Sequence, residues 1–144
     1  MTFRLEFDSM PDPRVRGNAR GSWHGQHRAT SELRDSTYLK MLEQHPWPRF
    51  ERAIVTYHAY WCGTPLDPDN LIKGCKPILD EFSDRSSGEE RLIQDDGPDY
   101  VEIRTQYTRV PHRKDVKLII TVREWRPSDM DEIERVLRPD GGRV

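Results

Sequence analysis

Residues 67–82 read Asp67-Pro68-Asp69-Asn70-Leu71-Ile72-Lys73-Gly74-Cys75-Lys76-Pro77-Ile78-Leu79-Asp80-Glu81-Phe82. Advancing about 100° per residue from Asp69, the side chains of Lys73, Lys76 and Asp80 fall within about 40° of one line. Leu71, Ile72, Cys75, Ile78, Leu79 and Phe82 gather on the other side, so the spacing predicts an amphipathic helix with a narrow charged wedge. Asp69 at its start suits a cap and complements the helix dipole. Pro77 removes the bond back to Lys73, so it either kinks the helix or starts a second one. A break there would weaken the placement of Lys76 and Asp80 on the wedge.

Strand signals flank this helix. Before it, Ala53–Trp61 alternates apolar and polar residues. After a loop at 83–90, residues 101–110 and 116–125 read as strands, and the turn Pro111-His112-Arg113-Lys114-Asp115 predicts that they form a hairpin. Nearer the N-terminus, Thr2–Phe7 alternates with Phe3, Leu5 and Phe7 on one face. Residues 8–30 carry Pro11, Pro13, Gly17, Gly21 and Gly25 and read as a long loop. Residues 31–44 read as a helix capped by Thr30 or Ser31, with Leu33, Leu39, Met41 and Leu42 as core candidates, ended by Pro46 and Pro48. The order β, α, β, α, β, β predicts a small α/β domain of the α+β type. It would have a mixed sheet, two main helices and a C-terminal β-hairpin.

That domain covers residues 1–126. Residues 127–144 form an extension in which Pro127-Ser128 starts a short amphipathic helix, with Ser128 and Asp131 as a capping box. Met130, Ile133, Val136 and Leu137 share its stripe, which packs on the body, on a second subunit or, through 127–138, on another protein.

A chain of 144 residues fits one domain with a modest core. Charged residues make up 33% and mean hydropathy is -0.90, yet the ordered apolar patterns argue for a globular domain with a very polar surface. The apolar runs are too short to cross a membrane, and MTFRLEFDSM has charges where a signal peptide needs an apolar run, so a cytoplasmic protein is expected. Cys62 and Cys75 form no C-x-x-C pair and are expected to be reduced and buried. His24 and His27 have a zinc-compatible spacing, but no partner pair of Cys or His follows.

The net charge of -2 hides a sharp distribution. Residues 61–100 hold four Lys/Arg against ten Asp/Glu, whereas residues 101–126 hold seven against three. A compact acidic site between basic flanks is compatible with a nucleic-acid partner, and so is a mixed solvated surface. The loop at 8–30 has no acidic residue between Asp12 and Glu32. It carries Arg14, Arg16, Arg20, Arg28, His24, His27 and Trp23, which suit phosphate and base contacts.

Asp67 and Asp69 project to the same side of an extended segment and can chelate one hard cation. Asp95-Asp96, after Leu92-Ile93, could return a carboxylate to the same place. A cation there would activate water and orient a phosphate, with a lysine on the wedge as point charge. The same residues also read as ordinary structure, with Asp67-Pro68-Asp69-Asn70 a turn and cap and Asp95-Asp96-Gly97-Pro98 another turn.

The run LDPDNLIKGCKPILDEF, followed by RLIQDDGPDYVEI and a basic β-hairpin, resembles the RusA family of Holliday junction endonucleases over about residues 67–125. The resemblance implies a small α/β homodimer that cuts branched DNA with Mg²⁺, for which Mn²⁺ could substitute, in a bacterial cell or phage-infected host. It implies Asp67, Asp69 and Asp96 as metal ligands, with Asp95 the alternative to Asp96, and Lys76 as catalytic lysine. Residues 70–76 are about one helical turn longer than in the shortest members, so Lys73 competes for that role and Asp80 is a further candidate. The family's characterised members tend to be basic, and the C-terminal extension is unmatched. Arg14, Arg16, Arg20 and Arg28, with Arg104, Arg109, Arg113, Lys114 and Lys117, are the expected DNA-backbone contacts. The alternative is a non-catalytic module of the same fold that binds branched or single-stranded DNA. A small metal-binding regulatory domain that ignores DNA is a third reading.

Overall fold

A computed structural model describes residues 1–12, 15, 23–64 and 66–130. Its elements are β1 (Thr2–Phe7), α1 (Trp23–Leu42), β2 (Ala53–Trp61), α2 (Pro68–Gly74), α3 (Lys76–Phe82), β3 (Val101–Arg109) and β4 (Lys117–Glu124). Single 3₁₀ turns lie at Arg113–Asp115 and Pro127–Asp129. The sheet is mixed and four-stranded, in the order β1-β4-β2-β3, as the α+β expectation requires. β4 is antiparallel to both its neighbours, and β3 is parallel to β2.

The expected hairpin between the last two strands does not form, because β2 lies between them. Burial explains the placement. β4 carries Leu118, Ile119, Ile120 and Val122, all buried, and needs neighbours on both sides. Residues 105–109 of β3 are exposed and suit an edge. Reaching a parallel position beside β2 requires a crossover, which α2 and α3 supply.

The first helix differs too. α1 begins at Trp23, inside the stretch expected to be loop. Its first two turns are nearly all polar and exposed, so no apolar period marks them. Its buried line is Ala29, Thr37 and Met41, with Leu33 packed beside it, while Leu39 and Leu42 face solvent. Thr37 enters the core because its hydroxyl donates to the Leu33 carbonyl at 2.7 Å.

The helices cover one face of the sheet. Phe3, Leu5 and Phe7 of β1, alternate residues of β2 and β4, and Val101 pack against Met41, Leu71, Cys75, Ile78, Leu79 and Phe82. Phe3 meets Phe82 edge-on at 5.9 Å between ring centroids. On the opposite face His58 stacks on Tyr60, and residues 126–130 fold back over the sheet. There Asp129 accepts both guanidinium nitrogens of Arg123, at 2.6 and 3.0 Å, and Met130 is buried. Where a helix is expected to start, Pro127–Asp129 make one 3₁₀ turn and Met130 is extended. Asp129 receives the Arg126 N–H at 2.8 Å, the capping role expected of Asp131 toward Ser128. Residues 131–138, with the rest of the expected stripe, lie outside the described residues. No helix among the described residues is long and apolar enough to cross a membrane.

Candidate functional site

The acidic segment is the crossover between β2 and β3. Asp67 caps α2: its backbone is extended and its Oδ1 accepts the Asp69 N–H at 2.9 Å. Pro68 follows in the first turn, where a missing N–H costs nothing. Both Asp67 and Asp69 are exposed.

Of the two outcomes open at Pro77, the chain takes the second, and two helices form. α2 ends at Gly74, and Cys75 closes it by donating to the Leu71 and Ile72 carbonyls at 3.0 and 3.2 Å. α3 then starts at Lys76, with Pro77 in its first turn. The proline therefore sits where a helix tolerates it, and the chain starts afresh instead of kinking. This divides the expected wedge. Asp69 and Lys73 stay one turn apart on α2, with Lys73 exposed, while Lys76 and Asp80 are one turn apart on α3.

The return loop brings the second acidic pair to α3. Leu92 and Ile93 both donate to the Phe82 carbonyl, at 3.0 and 3.2 Å, and Asp84 donates back to Ile93 at 3.0 Å. Three residues later Asp96 reaches the Lys76 ammonium, which also pairs with Asp80 at 3.1 Å. Asp95 beside it is exposed, its Oδ2 lying 3.6 Å from where a Cβ on Gly97 would stand. Two carboxylates thus share one ammonium, leaving a local excess of negative charge. Burial, with smaller contributions from Cys75 and Asp80, raises the Tyr57 phenol well above its ordinary range.

The expected three-carboxylate ligand set is not gathered. Among the described residues no group of three His, Cys, Asp or Glu side chains stands close enough to hold a metal ion. The reason is visible at both ends: Asp67 is turned to its own helix cap, and Asp96 is engaged by Lys76. The donor chemistry nonetheless suits a hard cation, because the exposed groups are carboxylate oxygens. Such an ion commonly takes one or two protein carboxylates and completes its shell with water or phosphate.

A second charged cluster, which sequence reading missed, anchors the return loop. Glu81 is buried on α3 and meets Arg34 of α1 at 2.9 Å, Arg91 at 3.1 Å, and Arg85. Burial pushes its carboxyl up, but the three guanidiniums more than offset this and leave it below the ordinary carboxylate range. Arg91 lies over the Tyr38 ring and also donates to the Glu81 carbonyl. Arg49 holds Asp84 at 2.9 Å, lowering the Asp84 pKa. Arg34 and Glu81 are 47 residues apart, and no local spacing could announce their contact.

The expected DNA contacts divide three ways. Arg28, Arg109, Arg113 and Lys114 are exposed. Lys117 lies over the Tyr60 ring at 4.9 Å and lowers, after burial, the pKa of His58. Arg104 is committed to structure: it donates to Glu102 at 2.7 Å and to the Asp129 carbonyl at 3.2 Å, so it is a poor candidate for the backbone of a ligand. Arg14, Arg16 and Arg20 lie outside the described residues. Cys75 is buried, as expected, and Cys62 is half-buried near the Pro111 carbonyl; both thiols are free.

No protein-family model matches the chain, and a search of the curated proteins finds no match.

Proposed function

We propose that the protein is a homodimeric, Mg²⁺-dependent, structure-selective DNA endonuclease. It would cut four-way or other branched DNA by hydrolysing a backbone phosphodiester, in recombination and repair. The observation that carries the reading is the ammonium of Lys76 between Asp80 and Asp96, with the Asp67–Asp69 pair on the helix immediately before it. Support also comes from the resemblance of residues 67–125 to the RusA family.

Asp67, Asp69 and Asp96, with Asp95 as alternative to Asp96, would hold the Mg²⁺. The bound ion would lower the pKa of a water and polarise the phosphate. Lys76 is the lysine better suited to the scissile phosphate, because it already stands against Asp96. Its charge can offset the negative charge that grows on the leaving oxygen as the P–O bond breaks. Arg28, Arg109, Arg113 and Lys114 would bind phosphates away from the cut. Two copies would address opposite strands of a two-fold substrate.

The test is nicking of a synthetic four-way junction in Mg²⁺ by the wild type and by Asp69→Asn. Cleavage by the wild type alone is expected. Equal cleavage by both, or none by either, overturns the assignment. The lack of a three-carboxylate group among the described residues favours one competing reading, a non-catalytic module that binds branched or single-stranded DNA. That module would bind in a salt-dependent way and ignore loss of the aspartates.

A further inference from the structure

The first turns of α1 run past the core. Ala29 is the first buried residue of the helix, yet six positions earlier Trp23 presents an indole at 68% exposure. Nothing in the packing of the sheet calls for a tryptophan there. Its ring is nevertheless held in place. The imidazole of His27, one turn on, stacks against it with centroids 5.1 Å apart and planes 10° from parallel. His24 meets it edge-on, also at 5.1 Å. A large exposed aromatic fixed in one orientation has already lost part of the rotamer freedom that a ligand would otherwise have to remove.

The charge around it selects the ligand. From Pro13 to Ser31 the sequence has no Asp or Glu, and Arg28, which follows His27 on the helix, is exposed. A flat π-surface on a helix turn that also carries a guanidinium and no carboxylate matches a nucleobase attached to its phosphate, since every base offers a face and stacking on an aromatic tolerates any sequence. Bases within a duplex are stacked on each other and present only edges in the grooves. An exposed indole face therefore suits an unpaired base.

We infer that Trp23, braced by His27, is a stacking platform for one unpaired base of single-stranded or branched DNA. The inference rests on the proposed DNA-binding role but not on cleavage. It gives the protein a means of reading the unpaired nucleotide at a branch, separate from the acidic segment.

The experiment measures binding of fluorescein-labelled dT15 and of a 15-base-pair duplex by anisotropy, in EDTA and low salt. It uses the full chain as wild type, Trp23→Ala, Trp23→Phe and Asp69→Asn. Truncating one stacking aromatic should weaken dT15 binding roughly 5- to 150-fold. Phenylalanine, which keeps a ring, should stay within about threefold of wild type, and duplex binding should be unchanged in both. Asp69→Asn should bind dT15 like wild type even if it cuts nothing, so loss of cleavage leaves the platform standing. Undiminished dT15 binding by Trp23→Ala overturns the inference, as does equal loss in Ala and Phe or equal loss on duplex. Wild type that binds neither oligonucleotide overturns both the platform and the DNA reading.

Discussion

Lys76 and Asp96, twenty residues apart, form an ion pair that joins the start of α3 to the end of the return loop. The pair separates the two lysines of the acidic segment by their partners: both are exposed, but Lys76 stands between Asp80 and Asp96 whereas Lys73 sits on the other helix. Lys76→Ala is expected to reduce junction cleavage by on the order of 10²-fold or more, as loss of a charge-stabilising group does. Lys73→Ala should change it by less than about fivefold. Single-turnover rates on one junction measure both, and the reverse ranking would transfer the catalytic role to Lys73.

Chelation supplies a second check. EDTA should abolish cleavage, Mg²⁺ or Mn²⁺ should restore it, and DNA binding by gel shift should persist throughout. Cleavage that survives EDTA would remove the metal from the proposed chemistry.

Glu81 should matter for stability more than its surface neighbours do. In Glu81→Gln the charge of Arg91, only 6% exposed, loses its buried counterpart and keeps only the exposed Glu89 at 3.3 Å, whereas Arg34 and Arg85 can turn to water. The expected loss is about 3 kcal/mol, the low end for breaking a buried pair. Urea unfolding of the variant against wild type measures it, and a change below about 0.5 kcal/mol would show the cluster to be ornamental.

The same cluster sets an acid limit. The carboxyls of Glu81 and Asp84 are held below their ordinary values of 4.5 and 3.8, so the unfolded chain binds protons more readily than the folded one. Stability then rises with pH: their contribution is complete above about pH 5 and is lost as pH falls through the depressed folded values. Urea midpoints should ease down below about pH 6.5, where the unfolded chain protonates His58 more readily than the folded one, and drop further between pH 5 and pH 3. The drop should be shallower in Glu81→Gln, and parallel curves would refute the assignment.

Pro77 offers a test of the helix break. In the first turn of α3 it forfeits no helical hydrogen bond, but its ring is buried, so Pro77→Ala should cost about 1–3 kcal/mol, through the freer unfolded chain and the lost apolar burial. A marked gain in stability would instead point to a continuous helix strained by the proline.

Much of this fold could be read along the chain, because strands and helices announce themselves by local period. Alternation in Thr2–Phe7 and Ala53–Trp61 located β1 and β2. Two things escaped. The start of α1 carries almost no apolar residue to reveal it, and the pairing of β4 with β2 instead of β3 depends on burial that only the assembled sheet defines. At the site, Lys76 one turn from Asp80 followed from spacing, whereas the cap expected at Asp69 is Asp67, because Pro68 opens the helix and Asp69 lies inside its first turn. The approach of Asp96 did not, since it depends on the Phe82 carbonyl receiving Leu92 and Ile93.

Because β2 and β3 are adjacent and parallel, the acidic segment leaves the far end of β2 and must travel back along the sheet to enter β3 beside Ala53. Both of its ends are thereby fixed by one strand pair, and that pair cannot close until the segment has folded back. Assembly of the aspartates and lysines is therefore a step in completing the sheet, not a later decoration of it. Side chains in the segment can be exchanged one at a time and its helices can be trimmed, but a deletion that leaves too little chain to span the roughly 30 Å back along β2 removes β3 from the sheet together with the site.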